Sequence, residues 1–268
     1  MGQGIAQVFA FGGYNTLLYD ANPAMLPSAK LKIETNLGLL VQKGKIPEAE
    51  KSGTLDRIKP VLSFNEVVAD LIIEAIVEDL TVKQNLFQNL EKQNSSSTIL
   101  CTNTSSLSVT EIFNQCAYPE RCLGVHFFNP AQVMKLVELI SGKKTDRFLI
   151  EAVGKLLKQL GKITVKAKDS PGFVVNRVAR HFYLESLKIL ENGGASLEDI
   201  DMLLKSSGFK MGPFELMDLI GIDVNLAVST AVYNGFNQNP KYKPNAIQVQ
   251  KVRDGYLGRK TKKGFYDY

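Results

Sequence analysis

Short apolar runs separated by helix-forming stretches recur through the first 168 or so residues and then stop, and this alternation restricts the fold more than any other feature. Residues 16–20, 70–77, 98–101, 123–127, 136–140 and 163–165 read as strands. The run Asp70-Leu71-Ile72-Ile73-Glu74-Ala75-Ile76-Val77 is almost wholly apolar, as expected of a strand buried on both faces of a parallel sheet. Helical patterning covers residues 23–43, 81–94, 108–116 and 145–160, with a polar connection over 44–53. This order predicts an α/β fold for residues 1–169, a doubly wound Rossmann-type parallel sheet. After Asp169-Ser170-Pro171-Gly172 helical spacing takes over, with Val174, Val178 and Phe182 on one face and Arg177, His181 and Glu185 on another. Asn192-Gly193-Gly194 ends that helix, and Ser196 with Asp199 starts the next. Residues 170–268 are therefore read as a smaller all-α domain.

Composition narrows the function classes. The 268 residues are 44% hydrophobic and 22% charged, which excludes a disordered chain. No apolar run approaches the roughly 18 residues of a membrane helix, and no basic segment followed by an apolar stretch opens the chain as a secretory signal would. A net charge of +5 is too small to argue for nucleic acid, yet suits an anionic, phosphate-bearing ligand. Cys101, Cys116 and Cys122 lack CxxC spacing, so neither a disulfide framework nor a thiolate metal site is expected, and a reducing cytoplasm fits best. With His126 and His181 the only histidines, a multi-histidine zinc site is excluded and imidazole chemistry falls on one of the two.

The chain opens Met1-Gly2-Gln3-Gly4-Ile5-Ala6, a helix start with no strand before it. Gly2 and, eighteen residues on, Asp20 match the second half of a dinucleotide-binding fingerprint. In that motif a helix N-terminus faces a pyrophosphate and an acid at the end of the second strand binds ribose hydroxyls. The alternative is a packing glycine and a turn aspartate. His126 ends a strand, where an open parallel sheet places its ligand, so it is a candidate general base; a structural histidine is the competing reading. His181 lies on a polar helix face one turn from Glu185 and is read as solvated. Glu138 interrupts an apolar strand and needs a partner, either an imidazole or a lysine or backbone group. Thr102-Asn103-Thr104-Ser105-Ser106-Leu107 sets hydroxyl and amide groups at the same sheet edge. No nucleophile elbow accompanies them, so hydrogen bonding to a substrate oxygen is favoured over covalent catalysis, against plain helix capping by Ser106 or Ser108. Asn176, on the first helix of the second domain, either reaches across a cleft or is simply exposed.

Taken together, these segments resemble the 3-hydroxyacyl-CoA dehydrogenase family, particularly its short bacterial 3-hydroxybutyryl-CoA dehydrogenases. The likeness runs through Glu74-Ala75-Ile76-Val77-Glu78, Asn103-Thr104-Ser105-Ser106-Leu107, His126-Phe127-Phe128-Asn129-Pro130 and Lys135-Leu136-Val137-Glu138. It continues through Pro171-Gly172-Phe173-Val174-Val175-Asn176-Arg177, Gly212-Pro213-Phe214-Glu215-Leu216-Met217-Asp218 and the Gly258-Arg259-Lys260-Thr261 to Gly264-Phe265-Tyr266-Asp267 stretch. The resemblance implies that His126 is the catalytic histidine, that Glu138 pairs with it, and that Ser105 and Asn176 contact substrate oxygens. It implies an NAD site lined by Gly2, Asp20, Glu78, Lys83 and Asn103, with Asp20 disfavouring the 2′-phosphate of NADP. It also implies an acyl-CoA thioester substrate and a homodimer formed through the helical domain. A 3-hydroxyadipyl-CoA dehydrogenase, or a non-catalytic acyl-CoA-binding or structural homologue, are the alternatives it leaves. The family's first strand and Gly-x-Gly turn precede the Met-Gly seen here at Met1-Gly2, so the native chain is expected to start roughly ten residues upstream, with a central strand and its pyrophosphate-binding amides.

Overall fold

The computed structural model describes residues 1–268 and divides the chain into two units, Met1–Asp169 and Ser170–Tyr268. The first unit runs α1 (Gly2–Phe11), β1 (Thr16–Tyr19), α2 (Met25–Gln42), α3 (Glu48–Asp56), β2 (Ile58–Val61), β3 (Leu71–Glu74), α4 (Leu80–Gln93), β4 (Ile99–Thr102), α5 (Val109–Ile112), β5 (Cys122–Phe127), β6 (Leu136–Ser141), α6 (Arg147–Gln159) and β7 (Ile163–Lys168). β1 and β2 form a parallel pair, and β3-β4-β5-β6-β7 form a second sheet in that order.

Parallel pairing holds everywhere except between β5 and β6, which run antiparallel. The chain between them, residues 128–135, is too short for the crossover that a parallel neighbour requires, so β6 must turn back on β5. The all-parallel expectation is corrected at that one ladder. A second correction concerns residues 70–77. The strand stops at Glu74, its Leu71–Ile73 stretch is only half-buried, and Val77 is 65% exposed, because β3 is an edge of its sheet rather than an interior strand. The connection over 44–53 becomes helical from Glu48, where Glu48 and Glu50 in the first turn complement the helix dipole. β2 escapes a pattern reading because it contains Pro60, which an edge strand tolerates.

The core is built by helical stripes on the sheets. Ile5 and Phe9 of α1 pack with Leu123, Val125 and Leu139, and Ile150, Val153 and Leu157 of α6 close the same cluster. Ala10, at the far end of α1, instead joins Ile33, Leu37 and Ile58. Each such fully buried Val, Leu or Ile side chain stabilises the fold by about 1.5–3 kcal/mol.

The second unit is helical: α7 (Val175–Glu191), α8 (Leu197–Ser206), α9 (Pro213–Ile220), α10 (Ile222–Gly235) and α11 (Ala246–Arg253). The buried face of α7 carries Arg180, Tyr183, Leu184 and Leu187; of the Val174, Val178 and Phe182 stripe, Phe182 is half-buried against the same core and Val178 is 67% exposed. Tyr183 and Leu187 meet Ile200, Phe214, Met217, Ile222 and Phe265 in one core. Two buried aspartates tie this unit together. Asp201 accepts from the Phe214 and Glu215 amides at 3.0 Å each and from the Tyr266 hydroxyl at 2.8 Å. Asp218 accepts from the Phe265 and Tyr266 amides at 2.9 Å each and from the Tyr268 hydroxyl at 3.1 Å, which pins the C-terminal segment. No single helix of the chain is long and apolar enough to cross a membrane.

Candidate active site

The carboxyl ends of β3, β4 and β5 lie side by side, so the residues just beyond Glu74, Thr102 and Phe127 share one edge of the sheet. Two buried hydrogen-bonded systems occupy that edge. The first centres on carboxylates of the β3 end. Glu74, 4% exposed, accepts from Lys83 Nζ at 2.5 Å, Thr102 Oγ1 at 2.7 Å and the Ile76 amide at 2.7 Å. Lys83 reaches this place because Asp79 caps α4 through the Val82 amide, which sets Lys83, Phe87 and Leu90 on the inner face of the helix. Its Nζ also lies 3.3 Å from Glu78 Oε2.

Glu78 in turn holds the loop after β4. Its Oε1 accepts from Thr104 Oγ1 at 2.6 Å, the Ser105 amide at 2.9 Å, the Ser106 amide at 3.1 Å and Ser106 Oγ at 3.0 Å. Burial by itself pushes the Glu78 carboxyl up, but the Thr104 hydroxyl, the Lys83 ammonium and the Ser105 and Ser106 donors together hold it below the usual carboxylate range. The loop is fixed from its other end by Asp169, which accepts from Ser108 Oγ at 2.7 Å and from the Val109 and Thr110 amides at 3.1 and 2.7 Å. Ser108 is also the helix cap of α5, as one sequence reading had it.

The second system is the pair His126 and Glu138. The antiparallel register sets the two residues directly opposite each other, and Nδ1 of His126 lies 2.8 Å from Oε2 of Glu138. His126 is 6% exposed and Glu138 fully buried, so the carboxylate accepts the hydrogen bond from Nδ1–H in a dry environment and leaves Nε2 as the nitrogen able to take up a proton. The Phe128 ring, tilted at a centroid distance of 4.6 Å, flanks the imidazole. Asn103 joins the two systems: its Oδ1 accepts the Phe127 amide at 2.8 Å, next in chain to His126, so its Nδ2 hydrogens are the donors left for a ligand.

The remaining candidates lie on other elements. Asp20 is exposed beyond β1, on the other sheet, and its Oδ1 accepts from the Asn22 amide at 2.8 Å. Gly2 opens α1 beside Ala75, just past β3, where an added Cβ would sit at an ordinary 4.0 Å from the Ala75 Cβ. The closely packed glycine is Gly4, where a Cβ would come within 3.3 Å of the Ala131 Cβ and 2.8 Å of Gln132 Oε1. Asn176 belongs to the helical unit, on the first turn of α7. His181 is exposed and packs on the Tyr242 ring, a solvated position. Glu74 is the residue whose chemistry the sequence does not flag, and the Thr102, Thr104 and Ser106 hydroxyls, expected at this sheet edge, turn to Glu74 and Glu78. The available signal was a pair of glutamates four apart at a strand end, with a lysine on the helix that follows.

The helix start of α1, which has no acid in its first turn, has the donor chemistry to face an anionic phosphate. The family model for the 3-hydroxyacyl-CoA dehydrogenase NAD-binding domain matches residues 1–170, and that for the 3-hydroxyacyl-CoA dehydrogenase C-terminal domain matches residues 172–268. The chain belongs to the 3-hydroxyacyl-CoA dehydrogenase family. It is thus a member of a family of NAD-dependent oxidoreductases, with NAD as the cofactor and the Rossmann-type fold followed by a helical domain that the motifs implied. Among its relatives, 3-hydroxyadipyl-CoA dehydrogenase of Escherichia coli K12 is 44% identical over all of this chain, which spans 57% of that protein's length. The 3-hydroxybutyryl-CoA dehydrogenase of Clostridioides difficile is 41% identical over the whole chain, here covering 96% of the relative. The crystal structure of (S)-3-hydroxybutyryl-CoA dehydrogenase from Ralstonia eutropha superposes with a TM-score of 0.96 at 39% identity, covering 100% of this chain and 95% of that one.

Proposed function

We propose that this member of the family interconverts (3S)-3-hydroxyacyl-CoA and 3-ketoacyl-CoA, with 3-hydroxybutyryl-CoA as substrate. The observation that carries the reading is the buried contact between His126 Nδ1 and Glu138 Oε2 at the carboxyl edge of the sheet. NAD, when bound, would supply the hydride acceptor. His126 Nε2 takes the proton of the 3-hydroxyl as the C3 hydride leaves, and Glu138 stabilises the imidazolium that forms. In reduction the same nitrogen returns the proton to the 3-keto oxygen.

Ser105 and Asn176 orient the substrate oxygens. Asn103 presents its amide to the cofactor, and Gly2, Asp20 and Glu78 complete its site. Lys83 is buried at 1% exposure between Glu74 and Glu78, so it acts on the cofactor through Glu78 rather than by direct contact. The helical unit serves substrate binding and dimerisation, and exposed Met202, Leu203, Leu219 and Ile220 offer the apolar surface a second copy would cover. Three free, buried cysteines suit a reducing cytoplasm. A dicarboxylic substrate, 3-hydroxyadipyl-CoA, is the second reading, favoured by the name of the Escherichia coli relative.

NADH formation from 3-hydroxybutyryl-CoA and from 3-hydroxyadipyl-CoA tests both readings. The first substrate is expected to give the higher kcat/KM. A preference for the second would move the assignment to dicarboxylic chains, and turnover of neither would remove the catalytic reading.

A further inference from the structure

The helical unit contains a buried cation whose partners are all neutral. Arg180 is 3% exposed, and its guanidinium donates to the Asn176 carbonyl from Nε at 3.2 Å. From Nη1 it donates to the Asn225 carbonyl at 3.0 Å, Asn225 Oδ1 at 3.2 Å and Ser229 Oγ at 2.8 Å. Burial pushes this guanidinium down to about 10. A desolvated charge held by neutral dipoles and by the face of the Tyr183 ring, 4.9 Å away, stabilises a fold less well than an apolar side chain of its size, so packing alone is a weak reason for an arginine here.

What the guanidinium grips is informative. It spans from the first turn of α7 to the middle of α10, and its donor-only chemistry fixes the Asn225 amide so that Oδ1 also receives Gln248 Nε2 of α11 at 2.7 Å. The first turn of α7 is one end of this span. It follows two consecutive left-handed residues, Gly172 at φ +72° and Phe173 at φ +48°, and Val174 at the N-cap has no side-chain oxygen with which to cap it. Asn176 sits in that turn. Its carbonyl, the acceptor of the Arg180 side chain, lies one helical turn before Arg180 itself.

We propose that Arg180 is a positioning residue for Asn176, clamping the first turn of α7 onto α10 so that the Asn176 side chain meets the substrate in a fixed place. This rests on the reading of Asn176 as a substrate contact. Arg180 touches neither substrate nor cofactor in this account; it acts through the backbone of the residue that does.

A double-mutant cycle on the full chain tests the claim, with kcat and KM measured for the wild type, Asn176→Ala, Arg180→Met and the double variant, each checked for folding by circular dichroism. A misplaced contact can cost up to about 100-fold in rate. Arg180→Met is expected to lower kcat by up to that factor with KM for NAD unchanged, and the double variant is expected to be no slower than Asn176→Ala alone. Arg180→Lys goes through the same cycle and covers the case in which the methionine variant does not fold, since one ammonium cannot bridge both helices as the guanidinium does. Losses that multiply in the double variant would overturn the positioning role and leave Asn176 as a substrate contact. Wild-type kcat in Asn176→Ala would instead remove the substrate-contact reading and the proposal with it.

Discussion

Both units bury carboxylates, and they use them differently. In the helical unit, Asp201 and Asp218 receive backbone amides and tyrosine hydroxyls, groups that do not titrate near neutrality. In the α/β unit, Glu138 faces an imidazole and Glu74 faces an ammonium that also reaches Glu78. A carboxylate saturated by amides holds one stretch of chain against another. A carboxylate facing a protonatable partner can in addition support a proton transfer, because the charge it stabilises appears during the reaction. Burial alone therefore does not mark a site; the chemistry of the partner does.

That contrast can be broken most sharply at Glu138. Glu138→Gln keeps the shape of the side chain but removes the charge opposite the imidazolium, and a loss of about 10³-fold in kcat is expected, within the range general-base catalysis supplies. NADH affinity, read by fluorescence titration, should stay at the wild-type value. A variant that keeps its rate would place Glu138 with the aspartates as a purely structural carboxylate. Asp218→Ala is expected to do the reverse. It strands the Phe265 and Tyr266 amides and takes an acceptor from the Tyr268 hydroxyl, for a stability loss of about 3 kcal/mol. Calorimetric unfolding would show this as a lower Tm, with NADH affinity of the folded protein unchanged; an altered affinity would blur the distinction between the units.

The smallest effect concerns pH. Glu78 is held below its ordinary value of 4.5 in the folded chain, so its contribution to stability is complete above that value and is lost as the pH falls through the lower folded one. Glu78→Gln should flatten the acid side of the stability curve below pH 4.5 while leaving the shape of the curve at neutral pH unchanged. An acid limb as steep as that of the wild type would show that other carboxylates carry it.

Much of this arrangement is legible in the sequence where local pattern and chemistry coincide. The alternation of strands and helices, and its end near Asp169, follow from hydrophobic spacing. Glu138 announces a buried partner by interrupting an apolar strand, and that partner is the strand-end histidine. What is not legible depends on register and on distant contacts. The antiparallel turn of β6 follows from a connection length, and β2 is masked by Pro60. Arg180 reads as a surface residue in a helix with charged neighbours, and only the packing of α7 against α10 and α11 turns it inward. Glu78 likewise looks like a solvated acid until the loop after β4 folds over it.

The central claim is that His126 is the base that exchanges a proton with the substrate while NAD binds independently of it. The most direct measurement is kcat for NADH formation by His126→Gln, with NADH binding titrated on the same sample. The account predicts a loss of about 10³-fold or more in kcat with NADH affinity at the wild-type value. Turnover within a few-fold of the wild type would contradict it, whatever the structural neighbours of His126 suggest.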